Sequence, residues 1–223
     1  MDNLKVIAHI HTDFPEKFGI PRQSGLACDL VGRIVFEPEY RNIHALKGIE
    51  EFSHLWILWE FEGVDRGEWS PTVRPPRLGG NETRGVFATR SPFRPNPIGL
   101  SCVKFLKVEE TSDGPVIYVS GIDMRDNTPI FDIKPYLSYV DAHFDASNGF
   151  AEETKDARLQ VEFPPELLEL LPAEKRKGCI EALAQDPRPQ YQDDPQRIYG
   201  MAFAGKNIRF RVEENRLLVL DVT

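Results

Sequence analysis

Long apolar runs are missing from this 223-residue chain: the longest, LWILW at residues 55–59, has five residues, where a membrane-spanning helix needs about 20. The opening stretch MDNLKVIAHI lacks the basic start, apolar core and small-residue cleavage site of a secretory signal, so the expectation is a cytoplasmic protein with no membrane contact. Cysteine is scarce. Cys28, Cys102 and Cys179 are far apart and form no CxxC pair, which argues for a reduced compartment and against a zinc cluster. Equally missing are a Gly-rich dinucleotide fingerprint, a P-loop and a GxSxG elbow, which lowers the prospect of a Rossmann enzyme, an NTPase or a serine hydrolase. No internal repeat or low-complexity tract is present.

What is there is an ordinary globular composition, 41% hydrophobic and 28% charged, long enough for one sizeable core or for a main domain with a small appendage. The net charge of −8 argues against indiscriminate nucleic-acid binding, but its distribution is uneven. Residues 71–107 carry 7 basic and 1 acidic side chains, whereas residues 1–70 carry 7 and 12, and residues 108–223 carry 13 and 22. A compact basic stretch in an acidic protein can still hold phosphate, because charges beyond a Debye length of ~8 Å are largely screened.

Strand candidates outnumber helix candidates. They fall at 4–10, 30–36, 54–61, 85–88, 101–108 and 116–122, and no βαβ alternation occurs. The run HLWILWEF is apolar on both faces of a strand, which predicts cover on two sides. The expected fold is mainly β: a β-barrel main domain over residues 1–145 and a small α+β C-terminal domain over 157–223. The polar segment 141–156 reads as the linker. In the smaller unit a strand at 158–163, helices at 165–171 and 173–184, and strands from IYGMAF, NIRFRV and RLLVLDV are expected. Turns are placed at Ala204-Gly205-Lys206 and Glu214-Asn215, and so thin a core is expected to pack on the barrel.

The segment 71–101, PTVRPPRLGGNETRGVFATRSPFRPNPIGLS, holds 6 of the 18 prolines between Pro71 and Pro97. Each proline fixes φ and removes a donor, so the segment cannot be helix interior or central strand. Ser91, Arg94 and Asn96 each precede a proline and are pushed toward extended conformations. The result is a stiff loop displaying Arg90, Arg94 and Asn96, groups suited to carboxylate, phosphate or base edges.

ATRSPFRPNPIGLS, with PPRLGG before it and TPIFDIKPYLSYVD after it, resembles the signature of the TsaA-like (TrmO) family. The likeness extends through FGIPRQSGL, GIEEFSHLWILWEF and LAQDPRPQY, and so covers nearly the whole chain. It implies a tRNA methyltransferase that uses S-adenosylmethionine (SAM) to methylate N6 of threonylcarbamoyladenosine at position 37, next to the anticodon. It also implies a homodimer with SAM near the subunit contact.

By the same resemblance the SAM pocket includes Pro21, Arg22, Gln23, Arg90, Leu100 and the turn Asp126, Asn127, Thr128 and Pro129. Glu62 and Gly63, where many relatives carry a histidine, are placed there too. SAM carries a carboxylate, an ammonium, a sulfonium and an adenine, so its pocket needs basic, acidic and apolar parts together. Arg22 or Arg90 suits the carboxylate, Asp126 the ammonium, and Leu100 apolar surface. The family's turn usually reads Asp-Gly-Thr-Pro. If it needs φ > 0, Asn127 is the best replacement for glycine. The substrate side is read as Arg94, Asn96, Lys134, Tyr136, Asp186, Arg188 and Tyr191, since a single-stranded anticodon-loop base can splay onto an aromatic ring while arginines hold the backbone. No catalytic residue is settled, and Asp126 is the candidate for taking the departing proton.

His9, His11 and Asp13 share one strand face but show no fourth ligand, so no metal is expected. His54 reads as a hydrogen-bonded structural histidine. Two alternatives remain open: a SAM-binding sensor that has lost methyl transfer, and an RNA-binding module that uses the basic stretch alone.

Overall fold

The computed structural model describes residues 4–63, 69–75, 82–155, 157–189 and 194–223. In chain order the strands are β1 (Ala8–His11), β2 (Val31–Phe36), β3 (His54–Glu60), β4 (Thr72–Val73), β5 (Arg84–Gly85), β6 (Ile98–Thr111), β7 (Gly114–Ser120), β8 (Thr128–Pro135), β9 (Gln160–Glu162), β10 (Tyr199–Phe203), β11 (Lys206–Glu213) and β12 (Arg216–Val222). The α-helices are α1 (Ser138–Asp141), α2 (Pro165–Leu168) and α3 (Ala173–Ala184).

Six strands close on themselves in the order β1-β2-β7-β6-β3-β8, with β8 returning to β1 and every pair antiparallel. Period-two alternation does the sorting. In β3 Leu55, Ile57 and Trp59 are buried while Trp56 and Leu58 face outward and half-buried. Ala8, Ile10, Ile34, Val103, Ile117, Val119 and Ile130 complete the interior. Register fixes which strand ends coincide. Ile10 faces Thr128, Glu60 faces Ile98, Trp59 faces Ile130, and Val31 faces Ser120. Three connections therefore leave one mouth of the barrel: residues 12–30, 61–97 and 121–127.

The second sheet runs β10-β11-β12-β9, with β9 parallel to β12. Its β10–β11 hairpin turns on Ala204 and Gly205, both at positive φ (50° and 74°), the twist that two-residue hairpins favour. Its apolar face does not stand alone. Phe14 of the 12–30 connection meets Phe203 edge-on at 5.1 Å, and Phe18 stacks on Tyr199 and Phe210. Helix α3 presses the same connection: Lys175 pairs with Asp13 at 2.7 Å, and the Asp29 N–H donates to Glu181 at 2.9 Å. The expected packing of the smaller unit on the larger is present, and the 12–30 connection is held between them.

Several expected strands differ in extent. Pairing at the first begins only at Ala8, and 101–108 is the middle of the longer β6. The strand expected at 85–88 is instead the short β5 followed by a 3-10 turn, Val86–Ala88. The Pro71 carbonyl takes the Val86 N–H there, and among the described residues the ladder beside these prolines is two pairs long. The linker 141–156 contains a 3-10 turn, Gly149–Thr154. Strand β8 is absent from the expected strands. It carries a proline at each end, Pro129 and Pro135, and so reads as loop.

Candidate functional site

The Pro21–Gln23 stretch is fixed by the residues on its C-terminal side. The Gly25 N–H donates to the Gly121 carbonyl at 2.8 Å, and the Gly121 N–H to Leu30 at 2.9 Å. Gly121 sits at φ +75°, and a Cβ there would lie 3.3 Å from the Gly25 backbone, so the two chains approach at a distance that suits glycine. Ser24 Oγ accepts the Cys102 N–H at 3.1 Å and docks the loop on β6. Gln23 then lies beside Arg90, whose guanidinium donates to its Oε1. Pro21 is buried, while Arg22 and Gln23 keep an exposed edge.

The Asp126 turn closes the other flank. Its backbone is tied to β1 and to the residues after it: Asp126 N–H to Phe14 and Asn127 N–H to Ile10, both at 2.8 Å. Asn127 adopts φ +62°, the left-handed conformation for which asparagine is the best non-glycine choice. The Asp126 Oδ1 accepts the Thr12 N–H at 3.0 Å and lies 3.2 Å from His11 Nδ1. Thr128 is buried and donates its hydroxyl to the Arg125 carbonyl at 2.8 Å. Pro129 is buried opposite His9 of β1, so it shapes the turn from beneath. Glu62, two residues past the end of β3, pairs with Arg125 at 2.5 Å, which ties the 61–97 connection to this turn. Gly63 beside it has φ +65°.

Between the two flanks lies Asp123, which no sequence motif singles out. Ser101 Oγ donates to its carboxylate at 2.6 Å, and Trp59 Nε1 donates to Ser101 at 2.9 Å. The Ser24 N–H also donates to it, and Arg90 acts on it through its charge. Burial of the carboxyl pushes its pKa up to about 6, against the pull of those donors and Arg90. Its one signal in the sequence is a lone aspartate in GID, just past a strand and three residues before the Asp126 turn.

The stiff loop is self-supporting. Arg94 donates to the Thr89 carbonyl at 3.0 Å, the Thr89 hydroxyl donates to the Val86 carbonyl, and the Ser91 and Phe93 N–H groups donate to hydroxyls two residues back. Part of Arg94 is therefore spent on its own backbone, and its plane lies 6.0 Å from the Phe87 ring. Asn96 is exposed, with its carbonyl taken by the Ile98 N–H at 2.7 Å. Around it stand uncovered apolar side chains: Phe87 (71% exposed), Phe93 (60%) and, on the outer face of β6, Leu100 (54%).

The substrate-side residues do not all gather here. Lys134 lies six residues along β8 from Thr128, about 20 Å at the rise of a strand, and pairs with Asp132 at 2.7 Å. Tyr136, just beyond, packs by Trp56 and His54. Asp186 and Arg188 form a bidentate pair at 2.9 Å on both arms. They follow Gln185, which donates to the Leu26 carbonyl at 3.2 Å and so places them beside the 21–30 loop. Tyr191 lies outside the described residues. An open groove of about 650 Å³ is lined by Lys5, His9, Glu37 and Tyr40, and one of about 330 Å³ by Leu46, Phe52 and Lys134 among others. Neither includes a cofactor candidate. His9 pairs with Glu37 at 2.8 Å and His11 with Asp126, so both histidines have protein partners. His54 meets the Ser53 hydroxyl at 2.9 Å. No helix among the described residues is long and apolar enough to cross a membrane.

The model of the tRNA-methyltransferase O N-terminal domain matches residues 9–142, and that of the TrmO C-terminal domain matches residues 156–223. The chain is 42% identical to the tRNA (adenine(37)-N6)-methyltransferase of Escherichia coli K12, over 93% of this chain and 92% of the relative. It is 40% identical to RcsF of Pseudomonas aeruginosa, whose name describes an S-adenosylmethionine-dependent methyltransferase, over 97% and 95%. The crystal structure of TrmO from Pseudomonas aeruginosa superposes with a TM-score of 0.78 at 33% identity, covering 100% of this chain and 99% of that one. The barrel, the smaller sheet packed on it and the loops gathered at one mouth are thus those of the tRNA-methyltransferase O family, and the chain belongs to it.

Proposed function

We propose that this protein transfers the methyl group of SAM to N6 of threonylcarbamoyladenosine at position 37 of tRNA. The observation that carries the reading is the convergence of Gln23, Glu62, Arg90 and Asp126 on one barrel mouth, in a chain whose relatives are named for tRNA adenine-37 N6-methylation. The residues fit the cofactor. Arg90 and Arg22 offer cations for its carboxylate, the partly exposed Asp126 offers a counter-charge for its ammonium, and Leu100 offers apolar surface. When bound, SAM supplies an electrophilic methyl on its sulfonium. The chain's task is to align N6 with it at about 3–3.5 Å and to accept the proton that N6 loses as the N–C bond forms, the methyl–sulfur bond breaks and the neutral thioether leaves. Asp126, oriented by Thr12 and His11, is the candidate acceptor, a role that competes with its pairing to the ammonium.

The reading includes two units, residues 1–145 carrying the cofactor and residues 157–223, and a homodimer. The matched ranges of the two family models support the division. Exposed Phe93 and Leu100, and half-buried Leu58 opposite Leu100 on the barrel wall, support a second copy covering this face. A second copy would also explain why Lys134 and Tyr136 stand far from Arg94 and Asn96 in one chain. Action on tRNA supports a cytoplasmic location.

The test is incubation with methyl-labelled SAM and two tRNA pools, one carrying threonylcarbamoyladenosine and one lacking it. Label is expected only in the modified pool, on that nucleoside. No label in either pool with SAM binding intact would replace the enzyme by a SAM-binding sensor. RNA binding without SAM binding would leave an RNA-binding module.

A further inference from the structure

We propose that Asp123 is a positioning residue for the methyl donor: its carboxylate ties the 21–24 loop to β6 and holds Arg90 where the donor's carboxylate arrives. The inference rests on the reading of this mouth as the cofactor site.

Two segments distant in the chain bond to this one side chain, and a third reaches it through charge. The Ser24 N–H comes from the loop, the Ser101 hydroxyl from β6, and the Arg90 charge from the stiff loop. Behind them the array is rigid. Ser101 is fully buried, and it is held by Trp59, which is nearly so. The Trp59 indole lies over Gly99, its register partner, where a Cβ would collide with the ring. Ser24 is fixed a second time through the Cys102 N–H.

A device that only joined the loop to the strand would not need a charge. An asparagine oxygen accepts from Ser24 and Ser101 equally well, without the cost of burying a carboxylate. What the ionised group adds is attraction on Arg90, whose other partner here is the neutral Gln23. The groups facing Asp123 are Ser24 from the loop, Ser101 and, through it, Trp59 from the barrel, and Arg90, the charged one among them. Arg22 keeps its charge at every relevant pH. Cys102 points to the opposite face of β6, and burial with the Asp141 charge pushes its thiol up, so it stays neutral.

The experiment is titration calorimetry of SAM onto the full-length protein between pH 5 and 8, with Asp123→Asn and Ser101→Ala beside the wild type and thermal melts to confirm folding. Wild-type affinity is expected to fall about tenfold as pH drops through the region near 6, where the Asp123 carboxyl takes up its proton. Asp123→Asn is expected to bind at the weaker level throughout, without that pH dependence, and to raise KM for SAM while sparing kcat. Ser101→Ala removes a donor that favours the ionised form, so it moves the midpoint to higher pH. Wild-type affinity and pH profile in Asp123→Asn would overturn the inference. Were that variant not to fold, an unmoved midpoint in Ser101→Ala would do so. A wild type that binds no SAM at any pH would overturn the cofactor reading itself, before any substitution is considered.

Discussion

A carboxyl that is harder to ionise in the folded chain than in the unfolded one leaves a mark on stability, and Asp123 is such a group. Its pKa near 6 lies above the ordinary 3.8, so the folded state holds the proton more tightly. The favourable contribution is complete below about pH 4 and is lost as pH rises through 6, by about 3 kcal/mol at most. Asp123→Asn removes that loss. Urea denaturation at pH 7.5 should find the variant more stable than the wild type by about 1 kcal/mol or more, and the gap should narrow as pH falls through 6 and close below about pH 4. A variant less stable than the wild type at pH 7.5, with the deficit gone below about pH 4, would show that the ionised group holds the fold together. Asp126 differs, because its carboxylate keeps an exposed side beyond Thr12 and His11. If it serves as the proton acceptor, Asp126→Asn should retain SAM binding by calorimetry and lose about 100-fold or more in kcat. Loss of binding outright would leave it as the ammonium partner alone.

At the scale of elements, the features legible in the sequence are those that repeat or restrict the backbone. Alternation marks the barrel strands, and prolines mark the loop between Pro71 and Pro97. The left-handed Asn127 agrees with its standing where the family's turn usually carries glycine, and it yields a direct test: Asn127→Gly should melt within a few tenths of a kcal/mol of the wild type, whereas Asn127→Val should cost about 1–2 kcal/mol. The features that escape the sequence depend on long-range pairing. The ladder of β8 comes from β1 and β3, and no local pattern announces it. Asp123 draws its partners from positions 24, 90 and 101, so its role is invisible until those segments meet. The role of Gly99 is equally hidden, since it is set by the indole across the ladder. Gly99→Ala should displace Trp59, cost about 1–3 kcal/mol in urea denaturation and shift the tryptophan emission. An unchanged spectrum would mean that the ring has room to spare.

For the whole molecule the question is how a chain of net charge −8 holds a polyanion. The acidic surface repels RNA at long range, so contact must be short-range and confined to the basic stretch. Among the described residues of that stretch, Arg74, Arg90 and Lys104 are exposed, Arg94 is half-engaged by its own loop, Arg84 is paired with Glu82 at 2.7 Å, and Lys107 is paired with Glu109. About three or four phosphate contacts are then available. For single-stranded RNA, each phosphate neutralised contributes about −0.7 to the slope of log K against log salt, so tRNA binding should show a slope of about −2 to −3. Filter binding between 50 and 300 mM salt, on the order of conditions where such slopes are read, measures it directly. A slope beyond about −5 would require phosphates held along a much wider surface, and the loop-centred interface would then be wrong. A slope in the expected range, with affinity carried instead by uncovered aromatics such as Phe87 and Phe93, would explain why an acidic protein can select an unpaired loop and ignore the rest of the duplex.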